Sequence, residues 1–455
     1  MSVLWTSAEI ESATLGRATR PFTVSGISLD SRKLKEGDLY VAVKGDRRDG
    51  HDFVRAALDA KAGGVLVSRP VEGLPAGSPL VVAASSYRAL EDLARAARAR
   101  SDGNFIAVTG SVGKTTTKEM LKLAFGALGP THVSGASYNN HWGVPLSVAA
   151  MPRDAGYGVF EIGMNHFGEI RPLVQLVRPH VALVTAIAPA HLEFFGTCEA
   201  IADAKSEIFE GIVAGGTAVV PADSPYCERL LARARQQHVT RVLRFGGAED
   251  CDARLLSYEE ADGGSRLKAE ILGKPVDARI GAPGLHLAAN ALGALACVAA
   301  VNGDVLNAAA ALKAFTALAG RGARFSAGGV EVIDESYNAN PSSMEAAFHL
   351  LAKAPGRRVA VLGDMLELGA NGKALHAGLA AGLQSAAQLV FLCGPLMKAL
   401  WEALPPHNRT AYAANSAELA PMVTAALKPG DTVLVKGSNG SRMSAVIEAL
   451  KTRGA

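Results

Sequence analysis

Two patterns alternate along almost the whole chain. Short apolar runs rich in β-branched residues are bounded by Gly, Pro or Asp: first "DLYVAVKGD", "GGVLVS" and "PLVVAAS", then "NFIAVTG", "YGVFEIG", "VALVTAIAP" and "GTAVVPAD", and last "VEVIDESYN", "RRVAVLGDM", "QLVFLCG" and "DTVLVKGS". Ala/Leu-rich stretches with a helical period lie between them. This alternation predicts βα units on mostly parallel sheets. One region departs from it. From Val242 to Ile280 the runs are short and broken by turns such as "EADGGSR". That predicts an antiparallel ribbon on a sheet edge.

The pattern falls into three blocks, within the two to four domains expected for 455 residues. The predicted fold class is α/β with three domains. Residues 1–101 form a smaller α/β N-terminal domain. Residues 102–318 form a central P-loop mononucleotide-binding parallel sheet with a β-ribbon edge. Residues 319–455 form a Rossmann-like C-terminal domain.

Composition narrows the function classes. Hydrophobic residues make up 49%, enough for several cores, and the net charge is only +3. The densest arginine group, "RALEDLARAARARSDG" (Arg88 to Gly103), has a helical Leu/Ala period and reads as a helix with a solvated basic face. A nucleic-acid partner is therefore not expected. The five cysteines show no CxxC spacing, which excludes a zinc knuckle or dithiol motif and suits a reducing cytosol. "MSVLWTSAEIE" lacks a basic region followed by an apolar one, and "LAANALGALACVAAV" is too short for a span. A soluble cytoplasmic protein without integral membrane contact is expected.

The chemistry starts at "TGSVGKTTTKE" (Thr109 to Glu119). A strand runs into a Gly/Ser turn and a helix follows, so backbone N–H groups converge on an anion. The common P-loop has a glycine five places before the glycine of Gly-Lys; here Val108 stands there. Gly110, Ser111, Val112, Gly113, Lys114, Thr115 and Thr116 are the candidate ATP-binding turn. Lys114 would reach the β/γ-phosphates and the Thr115 hydroxyl would ligate Mg2+. Three weaker candidates lie downstream. Glu161 follows a strand on the same sheet edge and reads as a Mg2+ ligand or an ion-paired cap. His191 also follows a strand and reads as a ligand or a structural histidine. Lys205, in "AIADAKSEIFEGI", reads as a surface lysine or a buried one with a shifted pKa.

Taken together, the short TGSxGKTTTKE turn, "SYNNHWGVPL", "EIGMNHFGEI", the AKxEIF run, "DESYNANPSSMEAA", "VLGDMLELG" and "VLVKGS" resemble the Mur ligases over nearly the whole chain. "SLDSRKLKEGDLYVAVKGDRRDGHDF" extends the likeness to the N-terminus. The resemblance implies that the short turn is the family's own variant. It implies an ATP-dependent ligase joining D-alanyl-D-alanine to UDP-N-acetylmuramoyl-tripeptide through an acyl phosphate, and a monomer. Two Mg2+ ions are implied, one on Thr115 and Glu161, the other on His191 and Lys205. Lys205 would be N-carboxylysine, which turns a cationic amine into an anionic oxygen donor for a hard cation. Lys114, His191 and Lys205 would be the catalytic set. Asn290 would touch adenine, and Arg321 or Arg324 would reach the phosphates. Asp334, Tyr337, Asn338 and Asn340 would complete the ATP site. Asp30, Ser31, Arg32, Gly45 and Asp46 would bind the UDP end, and Asn139 and Asn140 the muramoyl moiety. Three readings compete: a diamino-acid-adding member of the family, whose "DNPR"-like motif is missing; a folylpolyglutamate synthase-like ligase; and a P-loop switch without ligase activity.

Overall fold

The computed structural model describes residues 2–45, 48–135, 138–190, 192–261 and 263–453. Three main sheets follow one another along the chain. The N-terminal sheet has five strands, in the order Arg17–Ala18, Leu80–Val82, Gly64–Val67, Asp38–Val41, Gly26–Ser28. Only its first pair is antiparallel.

The central sheet has nine strands. The strand Asn104–Thr109 lies in its parallel part, between Val181–Val184 and Tyr157–Glu161. Strands that run the same way deliver their carboxyl ends to one edge. The turn after Thr109, the side chain of Glu161 and the segment leaving Val184 therefore share that edge. The ribbon is present but shorter than its sequence pattern implied. Arg241–Gly246 continues the parallel sheet against Thr217–Pro221, and the antiparallel ladder begins at Ala253. The helix Cys227–Gln236 supplies the crossover that a parallel return needs.

The C-terminal sheet runs Ala323–Ala327, Val330–Glu335, Asp431–Lys436, Arg357–Gly363, Leu389–Cys393, Arg409–Ala413. All pairs but the first are parallel. The two outermost strands, "ARFSA" and "RTAYA", escaped the sequence reading. Edge strands lack the continuous apolar run that marks a strand buried on both faces.

The basic face of the helix Ser86–Ala99 is only partly solvated, a correction to the sequence reading. Arg88 and Arg95 are exposed. Arg98 is 8% exposed, stacks on Phe105 at 4.2 Å, and donates to Val177 O and Arg178 O, both at 2.9 Å. Those carbonyls close the helix Ile170–Val177, where a cation satisfies acceptors the helix leaves open. Leu90, Leu93 and Ala97 of the same arginine-rich helix join Phe105, Val144 and Phe160 in one cluster. N-terminal and central blocks thus share a core. Central and C-terminal blocks meet at the short helix Leu192–Phe195, whose Glu193 N donates to Glu367 O at 3.1 Å.

Candidate active site

Val108 does not belong to the phosphate turn. It is still in the strand, opposite Glu161 on one side and Leu183 on the other. The turn therefore starts at Gly110 and is braced from the neighbouring strand. Thr185 Oγ1 donates to Val112 O at 2.6 Å, and Ser111 N donates to Ala186 O at 2.8 Å. Both glycines are demanded by their surroundings. A Cβ on Gly110 would lie 1.9 Å from Thr185 Oγ1, and one on Gly113 (φ +84°) would lie 2.7 Å from Asn290 Oδ1. Asn290 thus sits against the turn from the helix Leu285–Ala300. Lys114 opens the helix Lys114–Gly126 and donates to Gly110 O at 2.7 Å. The Ser111 hydroxyl is buried without a hydrogen-bond partner among the described residues, and Thr115 and Thr116 are buried beside it. An orphaned hydroxyl and a lysine on a glycine turn suit a phosphate.

Glu161 is held on every side. It is 2% exposed; Oε2 accepts Thr115 Oγ1 at 2.9 Å and Oε1 accepts Asn139 Nδ2 at 2.8 Å. Its N–H donates to Ser134 Oγ at 3.1 Å, and Lys118 Nζ donates to Ser134 O at 3.0 Å. The sequence reading missed Ser134 and Thr185, which belong to no motif; Lys118 lay unremarked inside "TGSVGKTTTKE". A hydroxyl and a carboxylate side by side are hard oxygen donors that fit Mg2+.

Lys205, near the end of the helix Cys198–Ser206, is only 1% exposed. Burial and the nearby charge of Lys114 push its amine well below the usual lysine range. Burial also lowers Lys114, with Glu161 opposing the shift and Arg321 adding to it. Lys114, Lys205, Arg321 and Glu161 therefore form one electrostatic unit. Among the described residues no three His, Cys, Asp or Glu side chains gather as a metal cluster. An ammonium form of Lys205 would repel a cation; a neutral amine is the form that can become a carbamate. His191 lies outside the described residues.

The C-terminal domain contributes unequally. Arg321 stacks on Tyr337 at 3.8 Å, whereas Arg324 is exposed on the edge strand. Asp334 uses both oxygens locally: Oδ2 accepts Gly320 N at 2.8 Å and Oδ1 accepts Ser336 N at 3.1 Å. It thereby fixes the turn that carries Arg321. Asn340 caps the helix Pro341–Ala352 through Ser343 N at 2.9 Å. Asn338 Oδ1 accepts Ala339 N at 2.9 Å, and Asn338 O accepts Nζ of buried Lys436 at 3.0 Å.

In the N-terminal block, Arg32 forms a fork with Asp30 at 2.9 and 2.8 Å, which holds the Asp30 carboxyl down at about 2. Ser31 is half-buried between them. A Cβ on Gly45 would lie 2.8 Å from Cη2 of Trp142, so this loop rests on an indole of the central domain. Asp46 lies outside the described residues. Asn140 Oδ1 accepts Gly143 N at 2.9 Å and starts the helix Gly143–Ala149. Asn139 and Asn140 thus have structural partners already.

A polyanion on the turn would meet cations from two domains, as in a P-loop phosphotransfer enzyme whose last domain covers the nucleotide. Comparison with known proteins makes this class specific. Three family models match in succession: "Mur ligase family, catalytic domain" at residues 23–100, "Mur ligase middle domain" at 108–298, and "Mur ligase, glutamate ligase domain" at 320–439. The chain belongs to the Mur ligase family. It is 32% identical over 448 residues to the UDP-N-acetylmuramoyl-tripeptide--D-alanyl-D-alanine ligase of Rickettsia prowazekii, covering 98% of this chain and 99% of that one. A crystal structure of MurF from Acinetobacter baumannii superposes with TM-score 0.87 at 29% identity, over 98% and 99% of the two chains. MurF ligase from Thermotoga maritima in complex with ADP gives 0.78 at 27% identity, over 94% and 98%.

Proposed function

We propose that the chain joins D-alanyl-D-alanine to UDP-N-acetylmuramoyl-tripeptide at the expense of ATP, in peptidoglycan synthesis. Lys114 on the phosphate turn, within electrostatic reach of Glu161, Arg321 and Lys205, carries this reading. Two anions, a triphosphate and a peptide carboxylate, must meet there, and charge neutralisation is the main catalytic task. Lys114 binds the β/γ-phosphates, and Arg321, rather than Arg324, reaches them from the C-terminal domain. Thr115 and Glu161 would hold one Mg2+, and carbamoylated Lys205 with His191 would hold a second. Bound there, Mg2+ neutralises phosphate charge. Lys205 reaches the carbamate because its amine is neutral enough to add CO2. Asp334 and Asn340 serve the site by fixing the chain around Arg321 and Tyr337.

In the first step a carboxylate oxygen of the tripeptide bonds to the γ-phosphorus. The bond to the β-bridging oxygen breaks and ADP leaves. In the second, the dipeptide amine attacks the acyl carbon, phosphate leaves with the bond it held, and the amine loses a proton. The acyl phosphate survives only where water is excluded, which the C-terminal domain provides. The incoming dipeptide enters a cavity of about 440 Å3 at the carboxyl ends of the C-terminal strands. Asp364, Asn415, Ser441 and Arg442 line it, and Arg442 offers its guanidinium to the dipeptide carboxylate.

The test follows an isotope. With 18O in the terminal carboxylate of the tripeptide, one label should appear in released phosphate, and release should need both substrates. Unlabelled phosphate would refute the acyl phosphate. Release indifferent to both substrates would instead identify a P-loop switch.

A further inference from the structure

Glu161 and Lys205 stand on different segments, and a third residue ties those segments together. Lys205 lies near the end of an α-helix that tightens to a 3-10 turn over Glu207–Gly211. After Glu161 the chain runs through "IGMNHFGE" to the helix Ile170–Val177. That helix has no side-chain cap from its own N-cap residue, Glu169. Glu169 turns back instead, accepting from Asn165 N at 2.7 Å and contacting His166 Nδ1 at 3.0 Å.

The missing cap comes from Glu207. Its side chain is buried, with the residue 6% exposed. Oε1 accepts Gly168 N at 2.8 Å and Oε2 accepts Arg171 N at 3.3 Å. Gly168 takes φ +81°, a conformation glycine adopts freely. A carboxylate also suits the positive end of a helix. A second staple runs alongside: Arg171 Nη2 donates to Glu210 Oε1 at 2.9 Å and Gln175 Nε2 donates to Glu210 O at 2.8 Å. The two glutamates of "SEIFEG" thus grip the segment that leaves Glu161.

We propose that Glu207 is a positioning residue that, by capping the helix after Glu161 from two places beyond Lys205, fixes the lysine against the carboxylate and the phosphate turn. It rests on the role given to Lys205 above. It explains why the glutamate of AKxEIF and the glycine before "EI" occur in one sequence: they are partners in one hydrogen bond.

Glu207→Ala and Glu207→Gln are compared with the wild type and with Lys205→Ala. Hydrogen exchange reads the amides of Gly168 and Arg171. Carbon-13 NMR after 13C-bicarbonate reads the carbamate on Lys205, and steady-state kinetics reads kcat and KM. Glu207→Ala should expose both amides and weaken the carbamate signal. Its kcat should fall about ten- to a hundredfold, with KM for the UDP precursor changed less than about twofold. Glu207→Gln keeps an acceptor oxygen and should recover part of kcat; it carries the same measurements should the alanine variant fail to fold. Unchanged kcat and carbamate signal in Glu207→Ala overturn the proposal. A parallel loss in kcat, precursor KM and protection throughout the protein also overturns it, leaving a purely structural glutamate. Full activity in Lys205→Ala removes the role of Lys205 and this proposal with it. An inactive Lys205→Ala beside an unaffected Glu207→Ala removes this proposal alone.

Discussion

A methyl group at Gly110 would strike the brace that shapes the phosphate turn. The new Cβ would lie 1.9 Å from Thr185 Oγ1 and 3.2 Å from Ala186 N. Contact distances of about 3.5 Å require the hydroxyl to retreat by roughly 1.5 Å. That hydroxyl donates to Val112 O at 2.6 Å and approaches Thr109 O at 3.2 Å. Leaving this partly buried carbonyl unpaired costs up to about 1–3 kcal/mol. Overpacking adds about 1–3 kcal/mol. Gly110→Ala should therefore lose about 2–6 kcal/mol, a large share of a typical stability of about 5–15 kcal/mol. Thr185→Ala removes the same hydrogen bond without a clash and should lose about 1–3 kcal/mol, without the overpacking cost. In the double variant the methyl occupies the space the hydroxyl left. Its cost should fall short of the sum of the singles by about 1–3 kcal/mol. Urea denaturation of the four proteins measures this, and KM for ATP should rise with Gly110→Ala and partly recover in the double. Additive losses, or a Gly110→Ala protein within about 0.5 kcal/mol of wild type, would refute the bracing argument.

Stability should fall as pH drops below about 6.5. His376 donates from Nδ1 to Gly372 O at 2.6 Å while Nε2 accepts Met365 N at 2.9 Å, and His180 Nδ1 accepts Phe105 N at 2.9 Å. Burial pushes both rings below the ordinary histidine range. Between the lowered folded value and the ordinary one, the unfolded chain binds a proton that the native chain refuses. A urea midpoint unchanged between pH 7 and pH 5 would contradict this. Arg98→Ala should lose about 2–4 kcal/mol, because one buried and one partly buried helix-terminal carbonyl lose their donor. Arg95→Ala, on the exposed side of the same helix, should stay within about 0.5 kcal/mol in the same urea assay.

Most strands and the long helices were legible in the sequence because burial on both faces of a parallel sheet writes a continuous apolar run. "FIAVTG" and "VFEIG" could hardly be anything else. The order of glycine, lysine and threonine after the first run likewise announced a phosphate turn, since only backbone N–H groups at a helix start can cradle an anion this way. The edge strands, the burial of Arg98 and the local duties of Asp334, Asn139 and Asn340 were not legible. Each depends on a partner far along the chain or on a turn whose shape no residue type dictates. Thr115 and Glu161 touch across 46 residues only because the strand Tyr157–Glu161 lands beside Asn104–Thr109. Residue types and their spacing determined which chemistry the chain could carry; crossover order in the central sheet decided which of those groups meet. Hydrophobic period reports on a residue's own face, whereas a site is made by the neighbours that face acquires.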